Sequence, residues 1–186
     1  MLYSWKQMFY NEPEGGRCGM RGRPCSCAFT GHRPAKLPWG DDERDIRCVA
    51  LKARLRAAVE SAVHEGMEHF LCGMAEGCDL YFAETVLALK KIYPHITLEA
   101  AIPCPTQADG WSDRQRARYR DILSRCDYET MVQSSYTPGC MQRRNRYMVD
   151  HASLLIAVND GARGGTRSTI EYAFKRGVSV LDIPLE

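Results

Sequence analysis

Short apolar runs alternate with longer amphipathic segments along most of this chain. The runs are typical of buried strands and cover residues 25–30, 69–72, 96–102, 154–158 and 178–183, and a further short strand is predicted over residues 128–133. Between the first two runs, Leu51, Leu55 and Val59 recur at helical spacing among arginines and glutamates. Helical segments separate most of the other runs as well. This alternation predicts an α/β fold, with one doubly wound, mainly parallel sheet and helices on both of its faces.

The length of the chain fits one domain. A chain of 186 residues is long enough to bury a sizeable core and short enough to need no second one. We assign this domain to residues 25–186. Residues 1–24 hold aromatic residues and then proline, glycine and arginine without a helical or strand period, which predicts a loosely ordered N-terminal extension.

The charge and hydropathy of the chain indicate which kinds of molecule it can bind. The formal net charge of +2 comes from well-mixed basic and acidic residues, without the dense basic field that is typical of nucleic-acid-binding proteins. We therefore expect small anionic ligands, with nothing that strongly indicates a nucleic acid. No apolar run is long enough for a membrane span, and the N-terminus lacks a secretory signal, so we expect a cytoplasmic protein without a membrane partner.

Nine cysteines raise the question of disulfides and metal sites. Their number is odd and most lie within apolar patterns, so reduced, buried thiols are the simpler interpretation. Cys18, Cys25 and Cys27 with His32 could be interpreted as a zinc site. Structural zinc sites usually show two close ligand pairs, whereas only one is present here, so no metal site is expected. The role of these three cysteines stays open.

The segment around residues 154–173 carries the clearest indication of a ligand. A buried strand is followed by a glycine-rich turn that opens the last helix, and its candidate contacts are Gly164, Gly165 and Thr166. Unpaired backbone N–H groups and the positive end of the helix dipole converge at such a turn. The turn therefore predicts a phosphate site.

Two other turns share this edge of the predicted sheet. Thr30, Gly31, His32 and Arg33 follow the first strand, at the carboxyl edge where open α/β sheets bind ligands, although an ordinary exposed loop is an equal alternative. After the second strand comes a turn with two glycines four residues apart. It predicts a second phosphate or ribose contact, formed by Gly73, Met74, Ala75, Gly77 and Asp79, with helix capping the favoured role for Asp79.

The helix over residues 141–151 places a charge among apolar residues. Met148 and Ala152 define its inward face, and Arg144 and Asn145 lie on that same face. A guanidinium group in such surroundings is costly unless it meets an anion. Either an internal carboxylate or a bound phosphate is therefore implied.

A family resemblance rests on five segments of the sequence. They are TGHRP at residues 30–34, LCGMAEGCDLYFAE at 71–84, AAIPC at 100–104, MQRRNRYMVDHASLLIAV at 141–158 and GGT at 164–166. Together they resemble the SLOG superfamily, and within it the YpsA/YoqJ-like group of uncharacterised bacterial proteins. The resemblance implies a Rossmann-like fold that binds a nucleotide or an ADP-ribose-like ligand, requires no other cofactor and forms homo-oligomers.

The same superfamily includes the LOG phosphoribohydrolases, whose signature is matched here only in part. Met141 and Arg144 fit their M-x-x-R-K motif, but Asn145 replaces the lysine. In their P-G-G-x-G-T-x-x-E turn, the position of the glutamate is taken by Thr169. The nearest acid, Glu171, lies about 200° further around the helix and is expected to face away from a ligand at Thr169.

These departures favour binding over catalysis. The sequence predicts a module that binds a nucleotide or nucleotide-derived ligand at the carboxyl edge of the sheet, with a role in sensing or signalling. The alternative is an N-glycosidase acting on a nucleoside phosphate or an NAD-derived nucleotide, with Glu84 as the candidate acid. A scaffold used only for protein association is a third interpretation.

Overall fold

The structure is a computed structural model and describes residues 9–10 and 25–185. The strands are β1 (Phe9–Tyr10), β2 (Ser26–Thr30), β3 (His69–Cys72), β4 (Thr97–Ile102), β5 (Tyr128–Met131), β6 (Leu154–Asn159) and β7 (Ser179–Pro184). The helices are α1 (Ile46–His64), α2 (Cys78–Leu89), α3 (Asp113–Leu123), α4 (Cys140–Asp150) and α5 (Gly165–Lys175).

One sheet runs through the molecule in the order β1-β7-β6-β2-β3-β4-β5. The pairs from β7 to β5 are all parallel, which confirms the predicted doubly wound α/β fold. Strand β1 pairs antiparallel with β7, where Phe9 lies opposite Leu181. This strand belongs to the predicted extension, and the rest of that extension lies outside the described residues.

Two hydrophobic cores lie on opposite faces of the sheet, because alternate strand residues point to opposite sides. In β3, Phe70 joins the core that contains α1, α2 and α3, while Leu71 joins the core that contains α4 and α5. Phe29 of β2 stacks on Phe82 of α2, with ring centroids 4.4 Å apart. The central strands β2, β3, β4 and β6 are buried along almost their whole length, as expected for a parallel sheet covered by helices, whereas the edge strand β5 is largely exposed.

The order of the strands creates a crevice at the carboxyl edge. From β2 the chain moves outward through β3, β4 and β5, and α4 then returns it to place β6 on the other side of β2. Thr30 at the end of β2 pairs with Ala157 of β6. The loops after β2 and β6 therefore leave the sheet in different directions, which is the switch point where open α/β sheets bind ligands.

The cysteines agree with the sequence prediction except at one position. Among the cysteines of residues 25–185, seven are free thiols, and most of them are buried: Cys27, Cys48, Cys72, Cys78, Cys104, Cys126 and Cys140. Cys25 is disulfide-bonded, so the prediction of a reduced thiol is wrong there. Cys18 lies outside the described residues. Within the described part of the chain, no group of three or more His, Cys, Asp or Glu residues could hold a metal ion.

Within the described residues, no helix is both long and apolar enough to cross a membrane.

A buried acid links the sheet to α4. Glu99 of β4 lies 2.8 Å from Nε2 of His69 on β3 and accepts a hydrogen bond of 2.8 Å from the hydroxyl of Tyr147 on α4. Burial by itself raises the pKa of Glu99, but hydrogen bonds from His69, Tyr147 and Thr130 outweigh it and lower this pKa from 4.5 to about 2. The folded protein therefore holds Glu99 in its charged form.

We predict that Glu99→Gln destabilises the protein by about 1–3 kcal/mol at neutral pH, since it replaces charge-assisted hydrogen bonds with neutral ones. The folded pKa of Glu99 is depressed, so this contribution is complete above pH 4.5 and disappears as the pH falls towards 2. Urea denaturation of both proteins between pH 7 and pH 3 measures the difference, which should shrink on acidification. Glu60→Gln, at the surface of α1, should stay within about 0.5 kcal/mol. A difference for Glu99→Gln that does not change with pH would contradict the assignment.

Candidate functional site

His32 occupies the switch point between the loops after β2 and β6. Its side chain is buried. Its Nε2 lies 3.0 Å from Oδ1 of Asp160, which is close enough for an ion pair, but the two groups are not aligned for a hydrogen bond. On the other side of the ring, Nδ1 lies 3.4 Å from the hydroxyl of Thr166, which donates to the carbonyl of Gly31 at 3.2 Å. His32 thus joins the first strand to the glycine-rich turn, as the sequence predicts for their common edge.

Asp160 gives this crevice a fixed negative charge. Its carboxylate accepts a hydrogen bond of 2.9 Å from the backbone N–H of Ala162. This bond, together with the nearby imidazole of His32, lowers the pKa of Asp160 from its ordinary value. The side chain keeps 31% of its surface exposed, so its oxygen atoms are accessible to a ligand.

The loop after β2 packs tightly on the start of α2. A Cβ atom on Gly31 would lie 2.5 Å from Cβ of Cys78, so no larger residue fits there without displacement. Gly77 has a φ of +82°, and a Cβ at this position would lie 2.8 Å from the carbonyl oxygen of His32. That carbonyl also accepts a hydrogen bond of 3.1 Å from the N–H of Cys78. These two glycines allow close packing between the two loops.

The loop after β3 uses several of its polar groups internally. The N–H of Ala75 donates to Oδ2 of Asp79 at 3.1 Å, and the N–H of Met74 to Sγ of Cys72 at 3.4 Å. Met74 has a φ of +56°, a conformation that costs free energy in a non-glycine residue. Gln107 holds this conformation, since its amide donates to the carbonyl of Met74 at 2.7 Å. A ligand role for this loop stays a prediction.

The capping role favoured for Asp79 is wrong. Helix α2 has Gly77 at its N-cap and no side-chain cap, and the Asp79 carboxylate turns back to the loop instead. It lies 4.0 Å from Nη1 of Arg144, and both side chains are almost fully buried. Burial raises the pKa of Asp79, while the charge of Arg144 and the N–H of Ala75 oppose that change.

Arg144 is held inside the protein by several groups at once. It donates to the carbonyls of Gly73 and Ala101, and its Nε lies 2.8 Å from Oδ1 of Asn145. A Cβ on Gly73 would overlap the guanidinium, which explains the glycine at this position. Burial lowers the pKa of Arg144, and the carboxylate of Asp79 opposes this effect. Of the two anions that the sequence allows, the structure provides the internal carboxylate.

A chain of side-chain hydrogen bonds extends from Arg144 to the glycine-rich turn. The amide of Asn145 donates to the hydroxyl of Thr169 at 2.9 Å, and that hydroxyl donates to the carbonyl of Gly165 at 2.8 Å. Thr169 therefore ties α5 to α4 at the position where the LOG enzymes carry their acid. Glu171 is exposed and pairs with Arg167 at 3.0 Å, on the outer side of α5.

The N-terminus of α5 carries backbone donors without a partner in the described part of the chain. Gly164 is its N-cap residue and offers no side chain, and within residues 25–185 no hydrogen bond is made by the N–H groups of Gly165, Thr166 and Arg167. The ammonium of Lys36 lies beside this turn, because it donates to the carbonyl of Arg163 at 3.3 Å. Free N–H groups next to a cation form a site that favours an anion.

Three further residues are predicted from the sequence to belong to the site: Thr30, Arg33 and Glu84. Thr30 is buried at the end of β2, and the exposed Arg33 extends towards α4, with Nη2 4.0 Å from Sδ of Met141. Glu84, the candidate catalytic acid, is bound by both Nε and Nη2 of Arg118 on α3, at 2.7 and 2.6 Å. Its carboxylate thus serves an ion pair between helices, and a catalytic role for it gains no support from these contacts.

Sequence reasoning missed Lys36, Gln107 and Asp160. Asp160 follows a buried strand at the same edge as the glycine turn, so its position along the chain was a usable signal. Lys36 and Gln107 gave no such signal. Lys36 reaches a carbonyl 127 residues away and Gln107 one 33 residues away, and only the folded chain brings these groups together.

Comparisons with known proteins agree with the resemblance. The model of the family described as YspA SLOG matches residues 27–178. The SPbeta prophage-derived protein YoqJ of Bacillus subtilis (strain 168) is 34% identical over 138 residues, covering 67% of this chain and 81% of YoqJ. A UPF0398 protein of Bacillus thuringiensis (strain Al Hakam) is 28% identical over 154 residues, covering 81% of this chain and 83% of that protein.

A solved structure shares the fold. DNA processing protein A from Helicobacter pylori matches with a TM-score of 0.59 and 16% identity, over 89% of this chain and 67% of that one. That protein has a unique single-stranded DNA binding mode. The expectation that nothing strongly indicates a nucleic acid is therefore wrong, because a protein with this fold binds single-stranded DNA. At this level of identity the likeness itself shows only the fold.

We predict that Arg144→Ala destabilises the ligand-free protein by about 3–5 kcal/mol, because it leaves Asp79 buried without its counter-charge. The adjacent Arg143→Ala is the matched control, since Arg143 is exposed and should contribute less than about 1 kcal/mol. Urea denaturation of the three proteins provides the comparison. Equal losses for both variants would mean that Arg144 does not support the fold in the way described.

Proposed function

This chain belongs to the YspA SLOG family, and we propose that it binds the phosphate-bearing end of a nucleotide or nucleotide-derived ligand at the switch point of its sheet. An ADP-ribose-like molecule is the class of ligand that we favour, with sensing or signalling as the role. The observation that carries the proposal is the uncapped N-terminus of α5, which lies beside Lys36.

Three groups at this edge suit the parts of such a ligand. A phosphate meets the free N–H groups of α5 and the ammonium of Lys36, an arrangement in which the charge and the hydrogen bonds reinforce each other. The accessible carboxylate of Asp160 can accept hydrogen bonds from ribose hydroxyls. A Cβ on Gly161 or Gly165 would meet no atom within 4 Å, so the turn leaves open space for the ligand.

Binding without turnover agrees with the position of Thr169. Its hydroxyl is engaged by Asn145 and by the carbonyl of Gly165, and it offers neither a charge nor a base. Stabilisation of a developing oxocarbenium ion requires a carboxylate. A ligand held at this turn therefore finds donors for its phosphate but no acid at the LOG position.

A second candidate function is N-glycosidase activity, and Asp160 is the observation that favours it. Asp160 supplies an accessible carboxylate from the loop after β6, beside the imidazole of His32. A carboxylate there could orient water for attack on C1′ of a ribose, while the C–N bond breaks and the base leaves with a proton. This assignment replaces Glu84 with an acid that lies at the switch point.

We expect isothermal titration calorimetry of the full chain to detect binding of ADP-ribose or AMP, and Lys36→Ala to weaken it roughly tenfold through the loss of one charge-assisted contact. Lys91→Ala is the matched control, because Lys91 is an exposed lysine just beyond the C-terminal end of α2. Adenosine, which lacks phosphate, should show no dependence on Lys36. Absence of both heat and thermal stabilisation with either nucleotide would refute the proposal.

The glycosidase alternative has its own test. Nucleoside monophosphates and NAD are incubated with the wild type and with Asp160→Asn, and the free base is measured by chromatography. An enzyme should release base at a rate that Asp160→Asn lowers at least about a hundredfold, in line with the loss of a general base. No release by the wild type at high protein concentration would exclude this function and leave the binding proposal intact.

A further inference from the structure

The outer faces of α4 and α5 enclose a groove with a volume of about 220 Å³. Its walls include Gln142, Asn145 and Arg146 of α4 and Ser168, Tyr172 and Lys175 of α5, and we call it the α4–α5 groove. We propose that this groove binds single-stranded nucleic acid, and that the strand passes from the N-terminus of α5 along the helix. This goes beyond the proposed function, which concerns only a single nucleotide at the switch point.

Charge is the first observation in favour of a polyanion. Between Cys140 and Arg176 the chain carries seven arginines and lysines and three acids. Only Arg144 of these basic residues is buried, so the others contribute to the surface around α4 and α5. Glu171, an acid on the wall of the groove, is already paired with Arg167 at 3.0 Å. The surface of the groove is therefore positive.

An aromatic platform is the second observation. The guanidinium carbon of Arg146 lies 5.4 Å from the centroid of the Tyr172 ring. The hydroxyl of Tyr172 donates to the carboxylate of Asp150, with distances of 3.0 and 3.1 Å to its two oxygens. Asp150 also pairs with Arg176 at 2.8 Å, so both the ring and the acid are held in place. Nucleobases stack on such aromatic and guanidinium surfaces without requiring a particular sequence.

The groove also continues directly into the anion site. Gly165 lines the groove and is the first residue of α5, whose free N–H groups form the proposed phosphate site. Helix α5 has 11 residues and is about 16 Å long. Lys175 stands at its far end. A chain of phosphates can thus meet positive groups at both ends of the helix, with the stacking surface of Tyr172 between them.

A second groove on the opposite side of the molecule provides an internal comparison. It has a volume of about 210 Å³ and is lined by Lys52, Arg56, Tyr81 and Glu84. Its two cations are neutralised, because Lys52 pairs with Glu43 at 2.5 Å and Arg56 with Glu60 at 2.9 Å. This second groove is therefore similar in size to the α4–α5 groove and also contains an aromatic ring, but it lacks an excess of positive charge. We expect no binding of nucleic acid there.

The test measures fluorescence anisotropy of labelled oligo(dT) and oligo(U), each of about 20 nucleotides, with the full chain at several salt concentrations. Arg146→Ala/Lys175→Ala should weaken binding at least about tenfold and lower the slope of log K against log salt by about 0.7 for each lost phosphate contact. Tyr172→Leu should weaken binding at least about fivefold through lost stacking. Arg56→Ala, in the neutralised groove, should change nothing. Circular dichroism of each variant confirms that it is folded.

Several results would overturn the proposal. The first is that the wild type binds neither oligonucleotide. The second is that the wild type and the groove variants bind with equal affinity. The third is that the groove variants keep their affinity for the oligonucleotides but change the oligomeric state of the protein, as measured by sedimentation velocity. The last result would identify the groove as a contact between copies of the chain. Calorimetry with ADP-ribose separates this proposal from the nucleotide site, since Arg146→Ala/Lys175→Ala should bind ADP-ribose as the wild type does, whichever way the oligonucleotide experiment ends.

Discussion

The site depends on the burial of one guanidinium group. Arg144 can remain inside the protein only because the carbonyls of Gly73 and Ala101 and the carboxylate of Asp79 surround it. Those groups belong to the turn after β3, to β4 and to α2, so a single side chain of α4 fixes the positions of three other elements. Through Asn145 and Thr169 the same network reaches the turn that begins α5. The floor of the crevice is therefore rigid and polar, and its hydrogen-bonding groups are largely engaged within the protein.

Among the described residues, a ligand can therefore be recognised only by groups at the edge of the crevice, which we call its rim. The groups that remain available are the N–H groups at the start of α5, which have no hydrogen-bond partner within residues 25–185, the exposed Lys36 and the partly exposed carboxylate of Asp160. Buried networks of this kind are costly to rearrange, because any member that loses its partner remains desolvated. A substitution in the floor should therefore affect folding first, whereas a substitution at the rim changes the groups that a ligand can contact.

Sequence patterns predicted the fold more completely than the site. The six predicted strands are confirmed by the structure, and all but β5 are apolar runs, since a parallel sheet covered on both faces requires continuous apolar segments. The inward orientation of Arg144 also followed from helical spacing. Its anion could not be identified, because the choice between Asp79 and a phosphate depends on a side-chain conformation that spacing does not encode. Net charge gave the wrong expectation on nucleic acids, since a total of +2 averages over segments of the chain whose net charges differ in sign.

That segregation of charge has a kinetic consequence. From Asp41 to Asp127, the segment that contains α1, α2 and α3, the chain carries fifteen acids and twelve arginines and lysines, whereas the segment with α4 and α5 has a basic excess. Residues 41–127 therefore carry a net charge of −3 and residues 140–176 a net charge of +4, a difference that the small net charge of the whole chain conceals. A polyanion that approaches α4 and α5 meets this local excess of positive charge, so its association rate should fall with added salt more steeply than the net charge suggests.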